Sequence, residues 1–337
     1  MSSSLPVQPA PRRKLTGFQR LALITTLATY FLIMVGGFVR ASGSGLGCPD
    51  WPKCFGYWVP PGDASMLPPE YDHSQYNQVK MWIEYGNRLV GVAVGFLIIA
   101  TTVAALRKYR NVPRVLWPTV ASFVLVLFQG WLGKVVVELE LAGWIVTAHL
   151  ILALVIVSLL VYATVCAFFP GGKPLAQVPA DRLRLARLAQ GVTILSLIQL
   201  TLGALVRGHL DNLSKQVPPL PRGEWIDHVG LTDHLHRFGA LAVTAGVLWL
   251  AWVALRDRQL HAWLHRFAWA MAVLVLIQVA AGVGLAYGAL PPPLQTIHII
   301  CGTLLIGALT TFILLAYRLP AGTAAPARLE QLAGAEA

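Results

Sequence analysis

Two short strings hold the side chains hardest to explain as scaffold: "WIEYGNRLVG" at 82–91 and "TDHLHRFGAL" at 232–241. Laid over one another, they align a carboxylate (Glu84, Asp233) three residues before Asn87 or His236, with an arginine (Arg88, Arg237) directly after. Imidazole is a strong ligand for iron, whereas an asparagine amide is a very poor one. Two more histidines extend the pattern. Asn87 and His149 are 62 residues apart, and so are His236 and His298. Gln129 precedes His149 by 20 residues and Gln278 precedes His298 by 20, within the matching strings "LVLFQG" and "LVLIQV". Upstream, "GGFVRASG" matches "GALVRGHL", which pairs Arg40 with Arg207.

Two imidazoles facing each other across a helical bundle ligate a haem iron on both faces. A lone histidine inside a membrane is as well explained as a hydrogen-bonded polar residue. Three at equivalent depths, two with the same spacing to a glutamine, favour ligation. The other histidines (His73, His209, His228, His234, His261, His265) fall in loops or near helix ends and read as solvent-facing. Arg40 and Arg207 read as helix ends at the outer surface, where a guanidinium can bind a haem propionate bidentately or simply snorkel. Arg88 and Arg237 lie one residue deeper than the axial positions, where a charge is costlier and so more telling. The glycines of "VGGFVR" and "LGALVR" allow close approach of a macrocycle or of a neighbouring helix.

Elements able to hold such a set follow from composition. Of 337 residues, 56% are hydrophobic and 12% charged, with mean hydropathy +0.63, well below the roughly 25% charge of soluble domains. Eight apolar stretches are long enough to span a bilayer, at about 20–40, 82–106, 115–137, 144–169, 187–206, 233–255, 264–287 and 295–317. The fold class is therefore all-α integral membrane, with eight helices in two pseudo-symmetric four-helix bundles related as a parallel repeat. The net charge of +11 is no sign of nucleic acid. Lys and Arg cluster at Arg12–Lys14 and Arg20, at Arg107–Arg114, at Lys173–Arg187, at Arg256–Arg266 and at Arg318 and Arg328, all on alternate connections. The positive-inside rule then puts both termini in the cytoplasm of a multi-pass protein of the cell's inner (plasma) membrane. The first span is too long for a signal core and reads as a retained helix.

The expected organisation is a cytoplasmic tail (1–19), a first half (20–169) with an outer loop at 41–81, a cytoplasmic linker (170–186), a second half (187–317) and a tail (318–337). Helices 2, 4, 6 and 8 run inward, placing Asn87, His149, His236 and His298 each about five residues, some 7–8 Å, below the outer face. Cys48 and Cys54 lie in the long outer loop, on an oxidising side. A disulfide clip, a redox-active pair and free thiols are all open to them. The absence of CxxC spacing, and Pro49 and Pro52 between them, favour the clip. Cys166 and Cys301 read as small apolar side chains within helices 4 and 8.

The string "GGFVRASGSGLGCPDWPKCFG", followed by "EYGNRLVG" and the paired halves, resembles the haem A synthase family over the whole chain apart from its tails. The resemblance implies oxidation of a methyl group of haem O to the formyl group of haem A, through an alcohol, in support of aa3-type terminal oxidases. It implies a haem b in the second half on His236 and His298, with Arg207 and Arg237 near it. It also implies a substrate haem in the first half on position 87 and His149 with Arg40 and Arg88, a catalytic carboxylate at Glu84 and a loop pair at Cys48 and Cys54. The family most often has histidine at position 87, and this chain has asparagine. Haem O would come from a haem O synthase; the electron donor is not specified, and a homo-oligomer is compatible with the reading.

The residues support this allocation by themselves. An iron with two strong ligands is closed and suits electron transfer, while one with a single protein ligand keeps an open position. Glu84 shares a helical face with Asn87 and reads either as a proton carrier or as an ion-pair partner for Arg88 one turn on. Two rivals belong to other classes. One is a b-type membrane cytochrome passing electrons between a quinol and a partner. The other is a transporter, which would need broken helices and midplane polar residues.

Overall fold

Thr16 opens the first helix with a reciprocal cap, its hydroxyl accepting from Gln19 N–H while the Gln19 side chain accepts from Thr16 N–H. Seven more long helices follow in a computed structural model that describes residues 14–170, 178–214 and 216–319. They are α1 (Gly17–Ala41), α2 (Gln78–Lys108), α3 (Pro113–Glu138), α4 (Gly143–Phe168), α5 (Ala180–Leu213), α6 (Leu231–Arg256), α7 (Ala262–Tyr287) and α8 (Pro292–Arg318). All eight are long and apolar enough to cross a membrane. In hydrocarbon a helix satisfies its own backbone, so this many apolar segments leaves little alternative.

Each half packs in the same cyclic order. α1 lies against α2, α2 against α3, α3 against α4 and α4 back against α1, and α5 to α8 repeat the ring. The halves meet where α4 and α8 touch, flanked by α1 on α8 and α4 on α5. α4 and α8 are buried over more than half their spans and the other six over a third or less, so the spine consists of the helices carrying His149 and His298. Threonine pairs tie the first ring across helices: Thr25 with Thr101 at 2.8 Å and Thr26 with Thr164 at 3.0 Å. Bonds of this kind are worth roughly 0.6 kcal/mol each in a membrane.

The repetition reaches the backbone of the turns. Glu140 and Leu141 before α4 have φ of 48° and 61°, and Ala289 and Leu290 before α8 have 53° and 58°. Consecutive left-handed non-glycine residues are uncommon and cost of order 1–3 kcal/mol each. In both turns the second of the pair lies eight residues before the histidine.

Several expected boundaries shift. α5 was expected to end at 206, with Arg207 at the surface; it continues to Leu213, so Arg207 sits inside a helix. Hydropathy marks the lipid-spanning part, whereas the helix runs on through turns where Arg207 pairs with Asp211 at 2.9 Å and Leu210 and Leu213 pack with Val229 and Leu290. α5 also begins at Ala180, within the expected linker, and α2 begins at Gln78. Asn87 therefore lies nine residues into its helix, while His149, His236 and His298 lie five or six into theirs. Residues 1–13 and 320–337 of the expected tails, and 171–177 of the linker, lie outside the described residues.

Candidate functional site

α6 and α8 stand at opposite corners of the second ring and bring His236 and His298 face to face. Their ring centroids are 6.2 Å apart, with planes inclined at 64°. Two metal–imidazole bonds of about 2 Å, plus about 1 Å from each nitrogen to its ring centre, give roughly this separation. The Nδ1 edge of each ring is held by the preceding helix. His298 Nδ1 donates to the Gln278 carbonyl at 3.1 Å, and Gln199 Nε2 lies 3.0 Å from His236 Nδ1 while donating to the His236 carbonyl at 2.7 Å. A carbonyl at Nδ1 puts the proton there and leaves His298 Nε2 to ligate, the usual arrangement for a metal-binding histidine, whereas the amide nitrogen beside His236 Nδ1 positions that ring without setting this tautomer.

Glycines make the space. A Cβ on Gly203 would stand 2.9 Å from His236 Cε1, one on Gly282 3.3 Å from His298 Cε1, and one on Gly133 3.5 Å from His149 Cε1. The fourth member, Gly36, would place its Cβ 3.7 Å from Asn87 Oδ1. Each odd-numbered helix thus offers a glycine to the axial position of the next. Four residues before these glycines stand Gln129, Gln199 and Gln278, and in the fourth case Leu32. The glutamine is missing at the one place where asparagine replaces histidine. This QxxxG pattern was readable in the sequence, and Gln199 was overlooked because its interval to His236 differs from the other two.

Both rings carry unpaired polar atoms. Asn87 Oδ1, His149 Nδ1 and Gln129 Oε1 are buried with no hydrogen-bond partner, and Gln129 Nε2 donates to the His149 carbonyl at 3.0 Å. In the second ring Gln199 Oε1 and Gln278 Oε1 are likewise unpaired. Buried polar atoms are normally satisfied, so such a cluster suits a site meant for a ligand. Facing imidazoles at the right separation, glycine cradles and unpaired polar atoms together fit a haem in the second ring, and the first ring offers one imidazole with its glycine and unpaired polar atoms.

Glu84 and Arg88 have a definite job. Their carboxylate and guanidinium are 2.6 Å apart, and Glu84 also accepts the Cys48 N–H at 2.9 Å. Arg88 donates to the carbonyls of Asp50 (2.8 Å), Lys53 (2.7 Å) and Cys48 (3.3 Å). The pair therefore docks the outer loop onto α2. Within the loop Cys48 and Cys54 form a disulfide, both fully buried with Phe55, Leu67 and Met81. Asp50 accepts the N–H groups of Phe55 (2.6 Å) and Gly56 (2.9 Å), and Gly47 abuts the Lys80 backbone too closely for any side chain. In the second ring Asp233 pairs with Arg237 at 2.7 Å.

Arg40 and Arg207, from different halves, share Asp211, which sequence reasoning missed: Arg40 Nη2 at 2.5 Å and Arg207 Nε at 2.9 Å. Arg207 Nη1 also donates to Gln295 Oε1 on α8. His209 and His234 are exposed, and Cys166 and Cys301 are free and buried.

Two predictions follow from these contacts. Gly203→Ala should strip haem and disturb its axial ligation, Gly282→Ala less so, and Gly133→Ala hardly at all, because only the last contact is an ordinary one. Haem-to-protein ratios of the three variants check this; a fully loaded Gly203→Ala with an unchanged spectrum would refute it. Non-reduced peptide mapping should recover Cys48 linked to Cys54, and alkylation under mild reductant should leave both unlabelled until the protein is denatured. Closing so small a ring contributes about 2 kcal/mol on chain-entropy grounds. Two freely alkylated thiols in the folded protein would return the pair to a redox role.

Comparison with known proteins agrees with this geometry. The family model COX15-CtaA, described as cytochrome oxidase assembly protein, matches residues 19–310. A heme A synthase of Shewanella oneidensis is 27% identical over 319 residues, covering 85% of this chain and 91% of its own. Heme A synthases of Geobacillus kaustophilus (27%, 92% and 98% coverage) and Shouchella clausii (28%, 81% and 88%) are similarly related.

Proposed function

The chain belongs to the COX15-CtaA family of cytochrome oxidase assembly proteins, and on that premise we propose that it is a haem A synthase. It oxidises a methyl group of haem O to the formyl group of haem A, through an alcohol, to equip aa3-type terminal oxidases. The observation that carries this is the inequality of the two rings: one sets the imidazoles of His236 and His298 face to face, as two ligands of one iron would stand, while the other has His149 and, at the matching position, Asn87.

A haem b held in the second ring supplies one-electron exchange when bound. The residues of the first ring do the rest. His149 holds the iron of the substrate haem from one side. Asn87 leaves the other side open, its amide able to hydrogen-bond water or an oxygen species. The disulfide-closed loop covers the outer mouth and excludes bulk water, and Arg40 receives a propionate. Glu84, one turn from Asn87, takes up protons released as the methyl group is oxidised, while Arg88 and the Cys48 N–H keep its carboxylate in place.

The setting is a multi-pass membrane protein in the bilayer of the inner (plasma) membrane, with both termini cytoplasmic and haem O handed over by a haem O synthase. A quinol-linked b-type cytochrome would have no use for an open, unequal first ring. Haem extraction and chromatography of cells making this protein, with and without a haem O source, tests the reading. Haem A should appear only when both are present; unchanged haem O alongside abundant, haem-loaded protein would overturn it.

A further inference from the structure

Among the described residues, Asp211 is the one carboxylate in ion pairs with both halves. Its oxygens are divided between Arg40 of α1 at 2.5 Å and Arg207 of α5 at 2.9 Å. Four residues past Arg40 the repeat has Ser44, so the first half brings no carboxylate of its own to this position. Two guanidiniums therefore share a single counter-ion. The contact continues to Gln295, one turn before His298, which donates to the Leu290 carbonyl at 2.7 Å. One network thus runs from the arginine assigned to the substrate haem to the helix turn that carries a ligand of the resident haem. The three charged side chains are only 20–28% exposed, so solvent screens them incompletely.

We infer that Asp211 couples the two haem sites, so that filling the first changes the redox balance of the second. This rests on the reading of Arg40 and Arg207 as propionate partners. A propionate arriving at Arg40 draws its guanidinium away from Asp211. The carboxylate is then less neutralised on the side facing Arg207 and the second ring. Added negative charge there favours the oxidised, more positive iron. Occupation of the first ring therefore lowers the midpoint potential of the resident haem, and by reciprocity the oxidised protein binds the first-ring porphyrin more tightly.

The test uses the holoprotein with its resident haem, and zinc protoporphyrin as a probe that carries both propionates but no redox-active iron. In the wild type, spectroelectrochemical titration should show the resident haem shifting to lower potential as the zinc porphyrin binds. Asp211→Asn should start at a higher potential, still bind the zinc porphyrin by its own absorption, and lose the shift; Asp211→Glu should keep it. An equal shift in Asp211→Asn, or none in the wild type with the probe bound, overturns the coupling while leaving the enzyme reading intact. Failure of the wild type to bind the probe overturns the first-ring reading, and the coupling with it. Because the wild-type measurement decides alone, a poorly folded variant does not shield the inference.

Discussion

His298→Ala is expected to abolish the low-spin haem spectrum and to lower haem retention by at least about 100-fold, since loss of mere supporting contacts around metal ligands already costs 10–100-fold. The two imidazoles stand 6.2 Å apart, with the preceding helices bracing their Nδ1 edges and glycines packed beside Cε1. Removing one ring leaves the other as a single ligand and opens a cavity of imidazole shape beside Gly282. Imidazole supplied in the buffer should enter that cavity and restore part of the low-spin signal, which a merely misfolded variant would not allow. His236→Ala should behave alike, with Gln199 keeping only its bond to the backbone carbonyl of residue 236. Full haem content and an unchanged spectrum in either variant would mean that the second ring is not held this way.

Much of this was legible because membrane helices are written locally. Apolar runs located all eight helices, and the 62-residue interval of the second half marked His236 and His298, which do face each other. What stayed hidden depends on contacts between segments distant in sequence. Nothing near Asp211 announces that it serves Arg40, 171 residues away. Arg88 reads as an intramembrane cation fit for a propionate, yet it docks a loop whose path over α2 no periodicity reveals. The end of α5 was misplaced for a related reason: its last turns mix polar residues with Leu210 and Leu213, which pack on the distant Val229 and Leu290, and Arg207 pairs there with Asp211. The disulfide lay between, favoured by compartment and spacing but open until both sulfurs were seen buried together.

Three substitutions in the first ring should separate ligand, bystander and proton acceptor. His149→Ala should abolish haem A formation, because no other first-ring side chain offers iron a strong donor. Asn87→Ala should keep activity within roughly tenfold, the worth of one or two ordinary hydrogen bonds, since no iron bond is lost. The structure adds a reason beyond the chemistry of amides. Asn87 Oδ1 has no partner, and Leu32 stands where the three histidines each have a glutamine, so the apparatus that orients a ligand is missing around it. Glu84→Gln should slow the reaction by about 10²–10⁴-fold, the range for a lost general acid or base, while leaving the resident haem spectrum untouched. The amide can still accept the Cys48 N–H but forfeits the ion pair with Arg88, so loop docking needs its own readout. Protease resistance of the 42–77 loop serves: an intact loop with lost activity assigns the proton role to Glu84, whereas a cleaved loop with activity restored by stabilising it would make Glu84 a structural anchor. Activity in Asn87→Ala as low as in His149→Ala, together with a lost axial signal, would make the asparagine a ligand after all.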